Sequence, residues 1–276
     1  MLDGMPNFHS TDGTRLAYEE YGEGAPVVFI ASWALHADMW EYQIPYFAER
    51  GYRCVALDRR GHGRSDRPSG GYDLDTLTDD IAALLDHLDL RGVTLAGHSF
   101  GGVEVAHFLG RHGTQRVARV AYVASMLPCL TRTDDNPEGV PGEYGEASVA
   151  ALRADRPRWF ADRAQGFFAT HLGNDASPAL IEETMRQCLS ASPWALVAVQ
   201  RTMWAADERA TLRAARVPTL VVHGTADQSA LIDVTGRRLP ALVPGCVYLE
   251  YPAAGHGLYA THRDTLNADL LEFLKD

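Results

Sequence analysis

The chain has no uninterrupted apolar run of about 18 residues, the length a helix needs to cross a bilayer, so no membrane span is expected. It has no basic cluster, and its formal charge is −11. Phosphate backbones are bound by grouped Lys and Arg, so no nucleic-acid partner is expected. The four cysteines, Cys54, Cys129, Cys188 and Cys246, form no Cys-x-x-Cys pair. In a chain this long they read as buried free thiols of a reducing compartment, not as a disulfide framework or a zinc site. Met1 to His9 has neither the basic stretch nor the apolar core of a signal peptide, so a cytoplasmic location is expected. There is no internal repeat and no low-complexity stretch.

What is present is an ordinary globular composition, 46% hydrophobic and 22% charged. A length of 276 residues allows one large domain or a core with an insertion. Asp12-Gly13, between alternating residues, signals a hairpin from Phe8 to Tyr21. Short apolar runs of the buried-strand type follow at Val27–Ala31, Cys54–Leu57, Val93–Ala96, Val117–Val123, Val217–Val222 and Val247–Tyr251. Helical patterns at about Trp40–Arg50, Leu74–Leu88 and Thr265–Leu274 alternate with them. The alternation predicts an α/β fold with a mainly parallel central sheet covered by helices on both faces.

Between about Leu127 and Arg216 that rhythm stops. A Pro- and Gly-rich loop leads into helix-like pieces at Glu146–Asp155, Arg158–Phe168, Pro178–Ser190 and Pro193–Trp204. The expected organisation is a core of residues 1–127 and 216–276 with a helical cap of residues 128–215. A cap inserted after a central strand sits over the strand C-termini, where open α/β sheets bind ligands. Its aromatic residues pack it onto the core, and Trp159, Phe167, Phe168, Trp194 and Trp204 are assigned to an apolar substrate pocket.

The most informative stretch is Val93 to Gly102. A buried strand stops at Gly97, Ser99 follows, and a helical pattern restarts at Gly101. Gly-x-Ser-x-Gly between strand and helix is the context of a nucleophile elbow. The helix start aims free N–H groups at the serine oxygen, so the Phe100 N–H is a candidate oxyanion donor. A serine nucleophile needs a base, and the base needs an acid to orient it. The chain order of this architecture is serine, acid, histidine. Asp227 lies just past the Val217–Val222 strand, and His256 lies in a glycine-flanked loop after the last strand. His223 is read as structural, and His98 lies on the wrong side of the elbow to be the base. His87, His107 and His112 suit surface or packing positions. Asp58, Asp66 and Asp80 suit solvated or capping roles.

Asp38-Met39-Trp40, Asp58-Arg59-Arg60-Gly61-His62-Gly63-Arg64-Ser65-Asp66, Gly97-His98-Ser99-Phe100-Gly101-Gly102, His223-Gly224-Thr225-Ala226-Asp227-Gln228 and Gly255-His256-Gly257 resemble the bacterial aryl esterases of the α/β-hydrolase superfamily. These are also called cofactor-free (non-haem) chloroperoxidases or perhydrolases. The resemblance spans most of the chain and is weaker in the cap. It implies a Ser99–His256–Asp227 triad, no cofactor, no metal, and a first oxyanion donor at the Trp33 N–H. Members often self-associate, so a homo-oligomer stays open. Where the family has His-Gly-Trp, this chain has Ala31-Ser32-Trp33. That change removes a histidine that braces the loop and adds the Ser32 hydroxyl. A displaced loop would make ester hydrolysis slow. Ala34, where perhydrolases of the family often carry Pro, tilts the reading toward hydrolysis. His36, three residues beyond Trp33, is either a solvent-facing loop residue or part of the pocket, and is counted with the pocket.

The expected activity is cleavage of a small-molecule ester or lactone through an acyl-enzyme, with perhydrolase (haloperoxidase) chemistry at the side. A cofactor-free dioxygenase or C–C bond hydrolase on the same fold stays open, as does a non-catalytic ligand-binding module. The dioxygenases take their acid from the strand after the elbow helix. Here that strand ends Val123-Ala124-Ser125-Met126, without one.

Overall fold

The computed structural model describes residues 6–275. Residues 1–5 and 276, at the two ends of the core assigned from the sequence, lie outside the described residues, as does the first part of the Met1–His9 stretch.

Eight strands form one sheet in the order β1-β2-β4-β3-β5-β6-β7-β8. They are β1 (Asn7–His9), β2 (Arg15–Tyr21), β3 (Ala25–Ile30), β4 (Tyr52–Leu57), β5 (Val93–His98), β6 (Val117–Val123), β7 (Thr219–Gly224) and β8 (Val247–Tyr251). β1 and β2 pair as the hairpin that Asp12-Gly13 signalled, and β2 is antiparallel to β4. From β4 to β8 every pairing is parallel. The strands are buried on both faces, so their side chains divide by parity. Val28, Ile30, Val55, Leu57 and Leu95 enter one apolar cluster, and Val27, Phe29, Cys54, Ala56 and Ala96 the other.

The helices of the first half are α1 (Ile44–Ala48), α2 (Leu74–His87) and α3 (Phe100–His112). Asp73 caps α2 by accepting from the Thr76 N–H. The predicted Trp40–Arg50 helix is shorter than expected: a 3-10 turn covers Ala37–Trp40 and α1 begins only at Ile44.

Between β6 and β7 lie α4 (Gly142–Ala154), α5 (Arg156–Phe168), α6 (Pro178–Ser190), α7 (Pro193–Ala205) and α8 (Arg209–Ala214). Ser177-Pro178 and Ser192-Pro193 set two of these starts. Each serine accepts from an N–H three residues on, and each proline occupies a first-turn position that needs no donor. The short helices α9 (Leu239–Leu242) and α10 (Leu258–Thr261) and then α11 (Arg263–Lys275) follow among the described residues. No helix among the described residues is long and apolar enough to cross a membrane.

Candidate active site

The loops at the C-terminal ends of β3, β5, β7 and β8 carry the site. At the β5–α3 junction Ser99 has φ 57° and ψ −120°, a conformation costly for a residue with a Cβ. The flanking glycines are sterically required. A Cβ on Gly97 would stand 2.4 Å from the Gly101 carbonyl oxygen, and one on Gly101 would stand 2.4 Å from that of Ile30. The strand, the elbow and the end of β3 are therefore in backbone contact.

Ser99, His256 and Asp227 come together. The Ser99 Oγ lies 2.8 Å from His256 Nε2. The other ring nitrogen, Nδ1, lies 2.7 Å from Asp227 Oδ2. Asp227 Oδ1 accepts from the Ser229 and Ala230 N–H groups, both at 2.8 Å. Burial works to raise the Asp227 pKa, but the His256 and His223 rings beside it hold it well below the usual carboxylate range. An ionised Asp227 makes Nδ1 of His256 the donor and leaves Nε2 to accept the Ser99 proton.

Two further histidines brace this pair. His98 is fully buried, and desolvation pushes its pKa down to about 3. It is therefore neutral, with Nε2 2.9 Å from the His256 carbonyl oxygen, to which it donates. His223 Nε2 lies 2.8 Å from the Ala230 carbonyl oxygen and 3.3 Å from Asp227 Oδ2. Their placing accords with the non-base roles read from the sequence, but each touches a triad residue.

The loop after β3 is held without the missing histidine. Arg59 donates to the carbonyl oxygens of Ala31 at 2.7 Å and Ser32 at 3.2 Å. The same guanidinium grips Glu104 on α3 through Nε and Nη2. The elbow helix and the loop are thus clamped together by one buried ion pair. The Leu35 N–H bonds the Ser32 carbonyl oxygen across a turn whose third residue, Ala34, has φ 68°. Such a turn leaves the N–H of its second residue, Trp33, unused. Among the described residues neither the Trp33 nor the Phe100 N–H meets an acceptor. The φ of Ala34 lies outside the range of proline, so this backbone would not accept proline there.

A cavity of about 380 Å³ opens over Ser99 and His256, walled by α4, α5, α6 and α7. Trp33, Trp159, Phe167, Phe168 and Trp204 line it. The Phe167 ring stands 5.3 Å from the His256 ring, and its carbonyl oxygen accepts from the Gly257 N–H at 2.7 Å. The Trp33 indole donates to the Leu196 carbonyl oxygen at 2.9 Å, tying the loop to α7.

A family model described as alpha/beta hydrolase fold matches residues 25–262. The chain belongs to the α/β-hydrolase family. It is 37% identical over 273 residues to a non-heme haloperoxidase of Rhodococcus erythropolis, covering 98% of this chain and 100% of that one. It is 33% identical to a bifunctional esterase/perhydrolase of Acinetobacter calcoaceticus, covering 96% and 97%. An esterase structure from Exiguobacterium antarcticum superposes with a TM-score of 0.94 at 28% identity, covering 99% and 100%. The chain is an enzyme of this family, in the branch of the non-haem haloperoxidases.

Two pocket assignments are corrected in this α/β-hydrolase. Trp194 is 63% exposed and donates its indole N–H to the Ser69 carbonyl oxygen on the outer side of α7. It lies six residues before Gln200, on a different face of the 3.6-residue helix. His36 neither faces solvent nor lines the cavity. It is buried with Nδ1 3.5 Å from Asp38 and 4.0 Å from Asp58, beyond the turn at Ala34. Two carboxylates read as solvated or capping are also buried. Asp58 accepts from Arg64 and the Ala37 N–H, and Asp80 pairs with Arg60. Sequence reasoning missed Phe160, Met126, Ile181, Met203 and Gln200 in the wall. The spacing of Leu196, Gln200 and Met203 on one face of α7 is the signal that could have found the last two.

Proposed function

We propose that this protein is a serine hydrolase that cleaves a carboxylic ester or lactone through an acyl-enzyme on Ser99, with residues 128–215 capping the core. The observation that carries the reading is the unbroken contact from Ser99 through His256 to Asp227, with Ser99 and His256 lining the cavity. As the Ser99 Oγ bonds the substrate carbonyl carbon, its proton passes to His256 Nε2. Asp227 holds the tautomer and stabilises the imidazolium. The Trp33 and Phe100 N–H groups receive the oxyanion. Collapse breaks the bond to the leaving alkoxide, which takes the proton from His256. Water then gives a proton to His256 and attacks the acyl group. The acid departs as Ser99 recovers its proton.

Hydrogen peroxide in place of that water gives a peracid, which oxidises halide. The named activities of the haloperoxidase and esterase/perhydrolase relatives support this side reaction. A cofactor-free dioxygenase would take its acid after β6, whereas the carboxylate bonded to His256 here follows β7. The mainly apolar wall favours a substrate with an apolar acyl or alcohol part. We place the enzyme in the cytoplasm, in keeping with four cysteines that form no disulfide.

The test is hydrolysis of p-nitrophenyl acetate and a lactone by Ser99→Ala. The expected loss in kcat is on the order of 10⁴-fold or more. Activity within tenfold of the wild type overturns the proposal.

A further inference from the structure

Ser32 is the residue of the β3 loop that the triad chemistry leaves without a task. Its backbone is fully engaged: the N–H lies 3.3 Å from Met39 Sδ, and the carbonyl oxygen accepts from Arg59 and the Leu35 N–H. Neither group is free to serve the reaction. The preceding residue, Ala31, sits against the elbow, since a Cβ on Gly101 would stand 2.8 Å from its carbonyl oxygen. Ser32 follows it, and Ser32 and Ser99 both line the cavity. Although Ser32 is 3% exposed, no described group hydrogen-bonds its Oγ. The Oγ is also not among the side-chain atoms sealed from solvent without a partner. With both backbone groups turned inward, the hydroxyl is the one polar group this residue offers to the cavity.

We propose that the Ser32 hydroxyl is a third hydrogen-bond donor to the oxyanion, beside the Trp33 and Phe100 N–H groups. The proposal rests on the serine-hydrolase reading above. Ser32 keeps its proton throughout. It donates to the oxygen that gains charge as the Ser99 Oγ–carbon bond forms, and relaxes when that charge returns to the carbonyl. A donor aimed at charge that exists only in the transition state acts on kcat rather than on substrate binding. The Arg59 clamp gives the hydroxyl a fixed base: it holds the carbonyl oxygens of Ala31 and Ser32, one on each side of the Ser32 Cα, and is itself held by Glu104.

The experiment compares Ser32→Ala and Ser32→Thr on phenyl acetate, with each fold checked by thermal melting. Ser32→Ala is expected to lower kcat roughly 10- to 100-fold with KM within threefold, toward the low end of what one oxyanion donor contributes. Ser32→Thr keeps a hydroxyl and is expected to retain at least a third of kcat. The pH dependence of kcat should not move, because His256 is untouched. Inhibition by phenylboronic acid, whose tetrahedral boronate adduct on Ser99 presents an oxygen where the oxyanion forms, should weaken in Ser32→Ala by a similar factor. A Ser32→Ala variant within threefold of wild type in kcat overturns the proposal, and so does a Ser32→Thr variant as slow as alanine. Stoichiometric labelling of Ser99 by a fluorophosphonate in Ser32→Ala separates the two readings. Labelling with unchanged kcat sinks only the third donor, whereas absence of labelling in the wild type sinks the hydrolase reading.

Discussion

The two halves of the enzyme treat charge differently. In the core the segment after β4 buries two arginine–carboxylate pairs, Arg59 with Glu104 and Arg60 with Asp80, and sets a half-buried Arg64 on a fully buried Asp58. In the helical segment between β6 and β7 the pairs Arg158–Asp162, Glu183–Arg186 and Glu146–Arg201 are all exposed. A buried pair has a demanding geometry and tolerates the loss of neither partner. An exposed pair contributes about 0–1 kcal/mol and can be exchanged freely. The part that carries Ser99, His256 and Asp227 is therefore tightly specified, whereas the α4–α7 part that walls the cavity carries its ion pairs on the surface. Such a division lets the chemistry stay fixed while the pocket changes shape.

The strongest way to break this contrast is Asp227→Asn, which keeps the shape of the core but reverses the His256 tautomer. The expected loss in kcat is on the order of 10⁴-fold, with the midpoint of thermal unfolding little changed. A fall of less than tenfold would remove Asp227 from the mechanism. Next comes Glu104→Gln, measured by urea unfolding beside Glu183→Gln. Removing one partner of the buried pair should cost about 3–5 kcal/mol, whereas the α6 variant should stay within about 0.5 kcal/mol. Equal losses would show that burial of the pair is not what distinguishes the halves. A smaller effect is expected from Trp159→Leu in the cavity wall. For p-nitrophenyl butyrate KM should rise up to about tenfold, or roughly 1.4 kcal/mol, with kcat within threefold. A kcat loss beyond tenfold would place that part of the wall in the chemistry.

The same contrast explains what could be read from the chain. Val27–Ile30 and Val93–Ala96 announce themselves because a strand covered on both faces needs no polar position. Ser99 stands out because its strained backbone demands Gly97 and Gly101, and a steric demand is written locally. The clamp between Arg59 and Glu104 was not legible: the partners lie 45 positions apart, and neither carries a local signal of burial. Trp194 misled for a related reason. An aromatic residue in an amphipathic helix reveals size but not facing, and only contact with the core decides which side of α7 looks inward. His36 is near Trp33 in sequence but not in the pocket, because the left-handed turn at Ala34 lies between them.

One charged contact between the core and the segment after β6 yields the smallest effect. His107 on α3 lies 2.7 Å from Glu208, which precedes α8, and 2.8 Å from Asp75 on α2. Arg111 also reaches Asp75, at 3.1 Å. The bond to Glu208 is the main cause that raises the His107 pKa from 6.5 to about 8, with burial opposing it and Asp75 adding to it. A histidine whose pKa is higher in the folded chain stabilises the fold fully below its unfolded value. That contribution fades as pH rises through the folded value. The window here runs from about pH 6.5 to pH 8. Thermal midpoints of wild type and His107→Gln, taken between pH 6 and pH 9, should therefore differ most at the acid end and converge at the alkaline end. The pair is partly open to water, so the difference should correspond to less than about 1 kcal/mol. Subtracting the variant cancels every titration that the two proteins share. A difference that stays constant across the range would mean that His107 joins α2, α3 and α8 by packing alone, with no contribution from its charge.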